Sequence, residues 1–260
     1  MPMHTLSAST EGQNADATRP LIVAAADVAG AHVIDAHCHP RGQLLYAAEG
    51  TMQVSVGTRL TWMLTPRAAV WVPCGAPHQV SAPAGVSYRS VFVSPYVARN
   101  LLPVGTPWGI DQLTREIILE AARFGEAYRP ASAESRLLNV LHDRLRSVRT
   151  DPLPLSLPHD PRARRVCVAL LNNPADDRSL ERWGKHVGAS SRTLTRVFQR
   201  ETGLNFTDWV QRMRLSQALD RLAEGQSVTS TGLDLGYASP SAFCAMFRRV
   251  LGTSPGRYFH

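Results

Sequence analysis

Ser179-Leu-Glu-Arg-Trp-Gly-Lys-His-Val-Gly-Ala-Ser-Ser-Arg-Thr-Leu-Thr-Arg-Val-Phe198 reads as a short helix, a glycine turn and a second helix. Ser179 is a hydroxyl cap for the first helix, and Gly188 suits the turn after Val187. In the helix starting near Ser190, Leu194, Val197 and Phe198 share one face. Arg192, Thr195, Arg196, Gln199 and Arg200 share the other. The pattern returns in Gly236-Tyr-Ala-Ser-Pro-Ser-Ala-Phe-Cys-Ala-Met-Phe-Arg-Arg249, where Ser239-Pro240 opens a helix and Phe243, Met246 and Phe247 point inward. Each unit is a helix-turn-helix, expected over about 179–200 and 228–249. The second helix of such a unit can lie in a DNA major groove, and two units about 34 Å apart can read successive turns of duplex.

Working outward from these units, Arg192 and Arg196 stand one helical turn apart and can enter one groove. An arginine that grips guanine O6 and N7 discriminates by about 1–3 kcal/mol. One that grips phosphate positions the protein without specifying sequence. Both roles are open for the pair, and Arg200 lies nearer the helix end. The second reading helix offers Ser241, Ala242 and Ala245, small side chains suited to thymine methyls and DNA shape, with Arg248 and Arg249 placed for phosphates. Asn205 caps a connecting helix with an apolar face of Trp209, Met213, Leu215, Leu219 and Leu222; Arg212 and Arg214 read as phosphate or intramolecular ion-pair partners. Charge agrees with this: residues 161–260 hold 15 Lys and Arg against 8 Asp and Glu, a net of +7, whereas residues 1–150 hold 13 Arg against 11 acids, a net of +2.

Residues 162–260 resemble the DNA-binding domain of the AraC/XylS family of bacterial transcription regulators. The resemblance is carried by Arg192-Thr-Leu-Thr-Arg-Val-Phe198, Gly203, Trp209, Arg214, Ala218, Leu219, Gly236-Tyr237, Ser239-Pro-Ser-Ala-Phe243, Phe247-Arg248-Arg249, Gly252-Thr253-Ser254-Pro255 and Tyr258. It implies double-stranded DNA as a partner and RNA polymerase as a second. Two departures stand out. Thr231-Gly232 stands where the family usually has a β-branched apolar residue and then alanine in a helix, and glycine there costs roughly 1 kcal/mol relative to alanine, which predicts a helix that stays soft until DNA is bound. Ala245 replaces an arginine that reads the groove in many members.

Upstream, Asp151-Pro-Leu-Pro-Leu-Ser-Leu-Pro-His-Asp-Pro161 carries four prolines and reads as an extended linker over 151–161. Before it, the chain reads as β over 21–105. Runs such as Gln43-Leu-Leu-Tyr-Ala47, Met52-Gln-Val-Ser-Val56, Thr61-Trp-Met-Leu64, Ala69-Val-Trp-Val72 and Tyr88-Arg-Ser-Val-Phe-Val93 lie between Gly and Pro turns, as in a barrel or jelly roll. A helical extension follows over 106–150. Asp111 caps a helix holding Leu113, Ile117, Leu119 and Ala121, and Leu137, Leu138, Leu141, Leu145 and Val148 form an apolar stripe. That stripe packs on the barrel or pairs with the same stripe in a second subunit, giving a homodimer. Residues 1–20 read as a disordered tail. The expected fold class is thus α+β in two domains: an N-terminal β-barrel of cupin or jelly-roll type with a helical extension, and a C-terminal all-α tandem helix-turn-helix.

The β domain holds its own chemistry. His37-Cys-His39 with Gln43 and Gly50, then Pro73-Cys-Gly75-Ala-Pro-His78, resembles the two motifs of cupin barrels. Three imidazoles suit Zn, Ni, Fe, Cu or Co. Gln43 replaces the cupin family's usual glutamate and removes a negative charge. A polar pocket without metal, as in the sugar-binding barrel of AraC-type sensors, is the alternative. Trp62, Trp71, Tyr46 and Tyr88 are candidate walls of an apolar pocket or ordinary core residues. The stretch from His39 to Tyr46, together with the stretch from Trp71 to Val80, resembles a subgroup that places a cupin ahead of the DNA domain and often controls efflux transporters.

Cys38, Cys74, Cys167 and Cys244 form no C-x-x-C pair, which argues against a disulfide framework or zinc knuckle. No apolar run approaches the 18 or so residues of a membrane span, and no secretory leader is legible at the start. The expectation is a cytoplasmic, nucleoid-associated regulator, not an enzyme, that senses a small molecule or metal and binds specific DNA. A cupin enzyme fused to a DNA-binding domain, and a DNA binder indifferent to ligand, are the alternatives.

Overall fold

The computed structural model describes residues 19–57, 60–66, 68–82, 84–99, 101, 107–126, 128–147, 155–223 and 225–258. The expected tail (except residues 19 and 20), Val148 of the apolar stripe and the first part of the proline segment (151–154) lie outside the described residues. The chain divides between Pro154 and Leu155 into two compact units.

In the first unit β1 (Leu21–Val28), β2 (His32–His37), β3 (Gly42–Gly50), β4 (Met52–Val56), β5 (Leu60–Leu64), β6 (Ala68–Val72), β7 (His78–Ala82) and β8 (Val86–Val93) precede the short helix α1 (Pro95–Ala98) and strand β9 (Pro107–Gly109). Two helices close the unit, α2 (Gln112–Phe124) and α3 (Ala133–Arg146). The strands form a five-stranded sheet, β1-β8-β3-β6-β9, and a four-stranded sheet, β2-β7-β4-β5. All described pairings are antiparallel. The expected barrel is therefore not closed. Among the described strands the edges β1, β9, β2 and β5 have no partner in the opposite sheet, and the result is a jelly-roll-like sandwich.

The side-chain alternation of a strand explains both layers of core. On β3, Leu45 and Ala47 face the other sheet, where they meet Ile34, Val54 and Val80. Leu44, Tyr46 and Ala48 face outward onto the helices, with Trp71, Ile117, Ile118, Leu138, Leu141 and Leu145. The stripe on α3 thus packs against its own sheet. On α2, Ile117, Ile118 and Ala121 are buried, while Leu113 is 57% exposed. Asp111 caps α2 by accepting from the Thr114 N–H (2.9 Å), and it also pairs with Arg144 of α3, joining the two helices. Trp71 stacks on Trp108 (5.8 Å) and Tyr46 donates its hydroxyl to Pro66 O, so both are core residues. Trp62 packs against the inter-sheet core. Of the four aromatic pocket candidates, Tyr88 alone lines the inter-sheet cavity described below.

The second unit contains α4 (Pro161–Asn172), α5 (Leu180–Val187), α6 (Ser191–Thr202), α7 (Phe206–Ala223), α8 (Val228–Asp234), α9 (Pro240–Leu251) and α10 (Pro255–Tyr258). Caps set their starts. Ser179, Ser190, Ser227 and Ser239 each accept from a backbone N–H three residues on, as does Asn205 from Asp208 N. Asp160 caps α4, and the Arg162 guanidinium beside it holds its carboxyl down at about 2. Gly188 takes the left-handed conformation (φ 70°, ψ 41°) that turns α5 into α6.

Two expectations change here. Residues 155–160 are not a free linker. Leu155 and Leu157 are buried, Trp209 Nε1 donates to Ser156 O (2.8 Å), and the Glu201 carboxylate accepts from His159 N (2.8 Å) and Asp160 N (3.0 Å). Nor is Gly232 a soft point in α8. A Cβ there would stand 2.9 Å from Phe243 Cβ and 3.1 Å from its Cγ. Glycine is what lets α8 and α9 close on one another, and Phe243 is fully buried in that contact.

Candidate functional site

Arg192, Thr195, Arg196, Gln199 and Arg200 are all exposed on α6, while Leu194, Val197 and Phe198 are buried beneath them. Phe198 is fixed edge-on against Phe206 and Trp209 (5.3 and 5.9 Å). Arg192 and Arg196 have no ion-pair partner among the described residues, so both are available to an outside anion. The other three are partly committed. Thr195 Oγ1 donates to Ser191 O (2.9 Å), Gln199 Nε2 makes a long contact to Gly203 O (3.4 Å), and Arg200 pairs with Glu201.

On α9, Ser241, Ala242, Ala245, Arg248 and Arg249 are exposed over a buried Phe243, Met246 and Phe247. Arg249 donates to Gln211 Oε1 of α7 (2.8 Å), a positioning contact that helical periodicity does not reveal. Arg214 is an intramolecular strut. It donates to Pro174 O (2.8 Å) and Asp176 O (3.3 Å) and lies over the Tyr237 ring (5.6 Å).

In the first unit β2 and β7 bring His37 and His78 opposite one another, past an irregularity after Ile34, and His39 follows two residues on. The ring centroids are 4.2 Å apart for His37 and His78, 5.0 Å for His39 and His78, and 6.0 Å for His37 and His39. One nitrogen from each ring lies within 4.8 Å of the others. Nitrogens bound about 2.1 Å from a common ion at tetrahedral or facial angles sit roughly 3.0–3.4 Å apart, so the three rings must draw together to form the set.

The outer contacts suit ligation. His37 Nδ1 meets Asp35 O (2.8 Å), His39 Nδ1 meets Arg41 O (2.7 Å) and His78 Nδ1 meets Ala76 O (3.0 Å). A backbone carbonyl accepts only from a protonated Nδ1, which leaves Nε2 of a neutral ring as the lone-pair atom. Burial holds the His78 imidazole down at about 4, so it is neutral near pH 7. Its Nε2 is buried without a hydrogen-bond partner among the described residues.

Gln43 reaches the cluster from the facing sheet. Its Oε1 stands 3.1 Å from His39 Nε2, while its Nε2 donates to Ser90 Oγ (2.9 Å). With a proton on both ring nitrogens His39 donates to Arg41 O and Gln43 Oε1 together; with Nδ1 alone protonated, two lone pairs face each other. A cation between them satisfies both; turning the amide satisfies His39 without one. The cavity enclosed by these groups, with Ile34, Tyr88 and Phe92 in its wall, measures about 20 Å³. That admits one water or one ion, and it is too small for the organic effector expected inside the β domain. Ser90, which the sequence does not single out, lines the same cavity and accepts from Gln43.

A β-sandwich with three histidines around a small cavity, followed by paired helix-turn-helix units, defines a DNA-binding regulator with an attached ligand-binding domain. Family models agree: the AraC-like ligand binding domain matches residues 21–145 and the helix-turn-helix domain matches residues 183–260. The HTH-type transcriptional regulator NimR of Escherichia coli (strain K12) is 33% identical over 222 residues, covering 85% of this chain and 81% of NimR. The HTH-type transcriptional regulator RipA of Corynebacterium glutamicum is 36% identical over 110 residues, 42% of this chain and 33% of RipA. Among solved structures, ToxT from Vibrio cholerae aligns over 92% of this chain and 98% of its own at 9% identity and a TM-score of 0.38. The chain belongs to the AraC-type family of helix-turn-helix transcriptional regulators.

Proposed function

We propose that this regulator reads duplex DNA through α6 and α9 and responds to a divalent transition metal held by His37, His39 and His78, with Gln43 as an oxygen donor. The observation that carries the reading is the convergence of three imidazoles within 4.8 Å, each with its Nδ1 on a backbone carbonyl. Zn, Ni, Fe, Cu or Co suits that donor set. Bound there, the ion supplies bonds that join β2 and β7 to the facing β3. Gln43 would offer the ion the carbonyl that already faces His39 while its Nε2 keeps Ser90 as partner, which would tie metal occupancy to β3 and β8 of one sheet and β2 and β7 of the other. The cluster contains no Asp or Glu among the described residues to serve as a base, which favours a sensor over an enzyme.

On the DNA side, Arg192 and Arg196 read base edges with Thr195 and Gln199 beside them, and Arg200 supports from the helix end. Ser241, Ala242 and Ala245 read shape and thymine methyls, while Arg248 and Arg249 grip phosphate. The resemblance carried by the stretches from His39 to Tyr46 and from Trp71 to Val80 points to an efflux transporter gene as target and to the cytoplasmic nucleoid as the place of action. RNA polymerase and a second copy of the chain are the further partners of this reading. No helix among the described residues is long and apolar enough to cross a membrane.

The test is the metal content of the purified full-length protein by mass spectrometry, beside His37→Ala/His39→Ala. About one ion per chain in the wild type, lost in the double variant, with operator affinity that changes on chelation, is the expected result. A metal-free wild type that does not take up Zn, Ni, Fe, Cu or Co overturns the metal assignment. Metal retention with unchanged operator affinity overturns its role in sensing.

A further inference from the structure

A second cavity lies on the helical side of the first unit and shares no lining residue with the histidine cavity, though Arg41, the partner of His39, stands between them. It measures about 280 Å³ and is lined by Arg19, Pro20, Tyr128, Pro130, Ser135, Leu138 and Asn139. Drug-sized pockets run from roughly 300 to 1,000 Å³, so this one suits a small compact molecule, whereas the histidine cavity suits an ion.

Its walls differ in kind. Tyr128 and Leu138 are buried and, with Pro20 and Pro130, form the apolar part. The charged liner is Arg19. Its guanidinium lies over the Tyr128 ring at 4.5 Å and donates to Tyr128 O, which fixes its position. A second guanidinium stands behind it: Arg41 is buried and donates to Arg19 O (2.9 Å). Both cations act on the Tyr128 hydroxyl, whose pKa burial pushes up against their pull. Tyr128 in turn donates to Leu21 O (2.8 Å), which anchors this wall to β1.

Ser135 and Asn139 supply the polar remainder. They sit four residues apart on the N-terminal half of the 14-residue α3, where the helix dipole is positive. Glu134 is on the same first turn but is not among the lining residues.

We infer that this cavity binds a small organic carboxylate: an anionic head toward Arg19, Ser135 and Asn139, and a compact apolar body against Tyr128 and Leu138. The site goes beyond the metal reading and does not depend on it. It also bears on signalling. Leu138 belongs to the stripe that seats α3 on the sheet, and α3 is the last helix before the second unit begins at Leu155. A ligand wedged at Leu138 acts on that helix.

The experiment is calorimetric titration of the full-length protein with sodium benzoate, and with benzamide as an uncharged probe of the same shape. Benzoate should bind saturably and about tenfold tighter than benzamide. Arg19→Gln should weaken benzoate by about tenfold and leave benzamide unchanged. Asn139→Trp, at an exposed helix position, should block both probes while the circular dichroism melt stays that of the wild type. Absence of saturable benzoate binding overturns the site, as does benzoate binding unaltered in both variants. Equal affinity for the two probes overturns the assignment of an anion. Metal content and operator binding are separate measurements, so failure here leaves the metal and DNA reading standing.

Discussion

At the scale of single side chains, Arg192 and Arg196 are distinguished by what they do not touch. Each is exposed without an ion-pair partner among the described residues, whereas Arg200 and Arg249 are already engaged by Glu201 and Gln211. Arg196→Ala should therefore cost about 1–3 kcal/mol at one base position and relax preference there. Gel-shift competition against a set of single-base operator variants reads this, and a uniform loss across the set would make Arg196 a phosphate contact. Arg248→Ala should do the opposite: similar loss on every sequence, with the slope of log K against log salt falling by about 1. Asp160 gives a pH test. With its carboxyl at about 2 in the fold and near the ordinary 3.8 when unfolded, its capping contribution is complete above pH 4 and lost as pH falls through 2. Asp160→Ala should cost about 1 kcal/mol in urea denaturation at pH 7, and the gap to wild type should shrink between pH 4 and pH 2. These residue identities are legible in the sequence because helical periodicity sorts them by face. Their partners are not, since Gln211 lies 38 residues from Arg249 and Ser90 lies 47 from Gln43.

At the scale of elements, β character is legible across residues 21–105, and β3, β4 and β8 stand out within it as separate β-rich runs, while β1 and β7 do not. β1 is Leu-Ile-Val-Ala-Ala-Ala-Asp-Val, whose alanines carry no strand preference, and only pairing with β8 along eight residues makes it a strand. The double core is hidden for a similar reason. Leu44 and Leu45 look alike in the sequence, and their opposite faces appear only once a second sheet and two helices claim them. Gly232 shows how propensity alone misleads. Gly232→Ala gains up to about 1 kcal/mol of helix propensity, but its methyl meets Phe243 Cβ, an atom too near the backbone to swing aside. Overpacking of that kind costs about 1–3 kcal/mol, so the variant should be net destabilised, and chemical denaturation of the full chain measures it. A more stable Gly232→Ala would mean that α8 and α9 can part without loss.

At the scale of the whole molecule, the division into a sandwich with its helices and a separate helical array is legible from the prolines after residue 150, whereas the change of hydrophobic period near residue 106 marks the helices that pack on the sandwich itself. The openness of the sandwich is not, because closure depends on whether edge strands meet, and no local pattern records that. The proline segment divides in two: its second half, with Leu155 and Leu157 buried, belongs to the helical array. Deleting residues 155–157 should thus destabilise the second unit, by stripping the partner from Trp209 Nε1 and opening its core, rather than merely shorten a spacer. Limited proteolysis of the deletion variant reads this as faster cleavage after 160. The Glu201 carboxylate gives this arrangement a mechanical meaning. It sits at the last turn of α6 and grips the backbone of residues 159 and 160 by two N–H groups. The segment that enters the second unit is held first by buried Leu155 and Leu157 and by Trp209 of α7, and then by this clasp, before it reaches α4. The C-terminal end of α6 is therefore tied directly to the segment leading into α4, and the two are built to move as one piece.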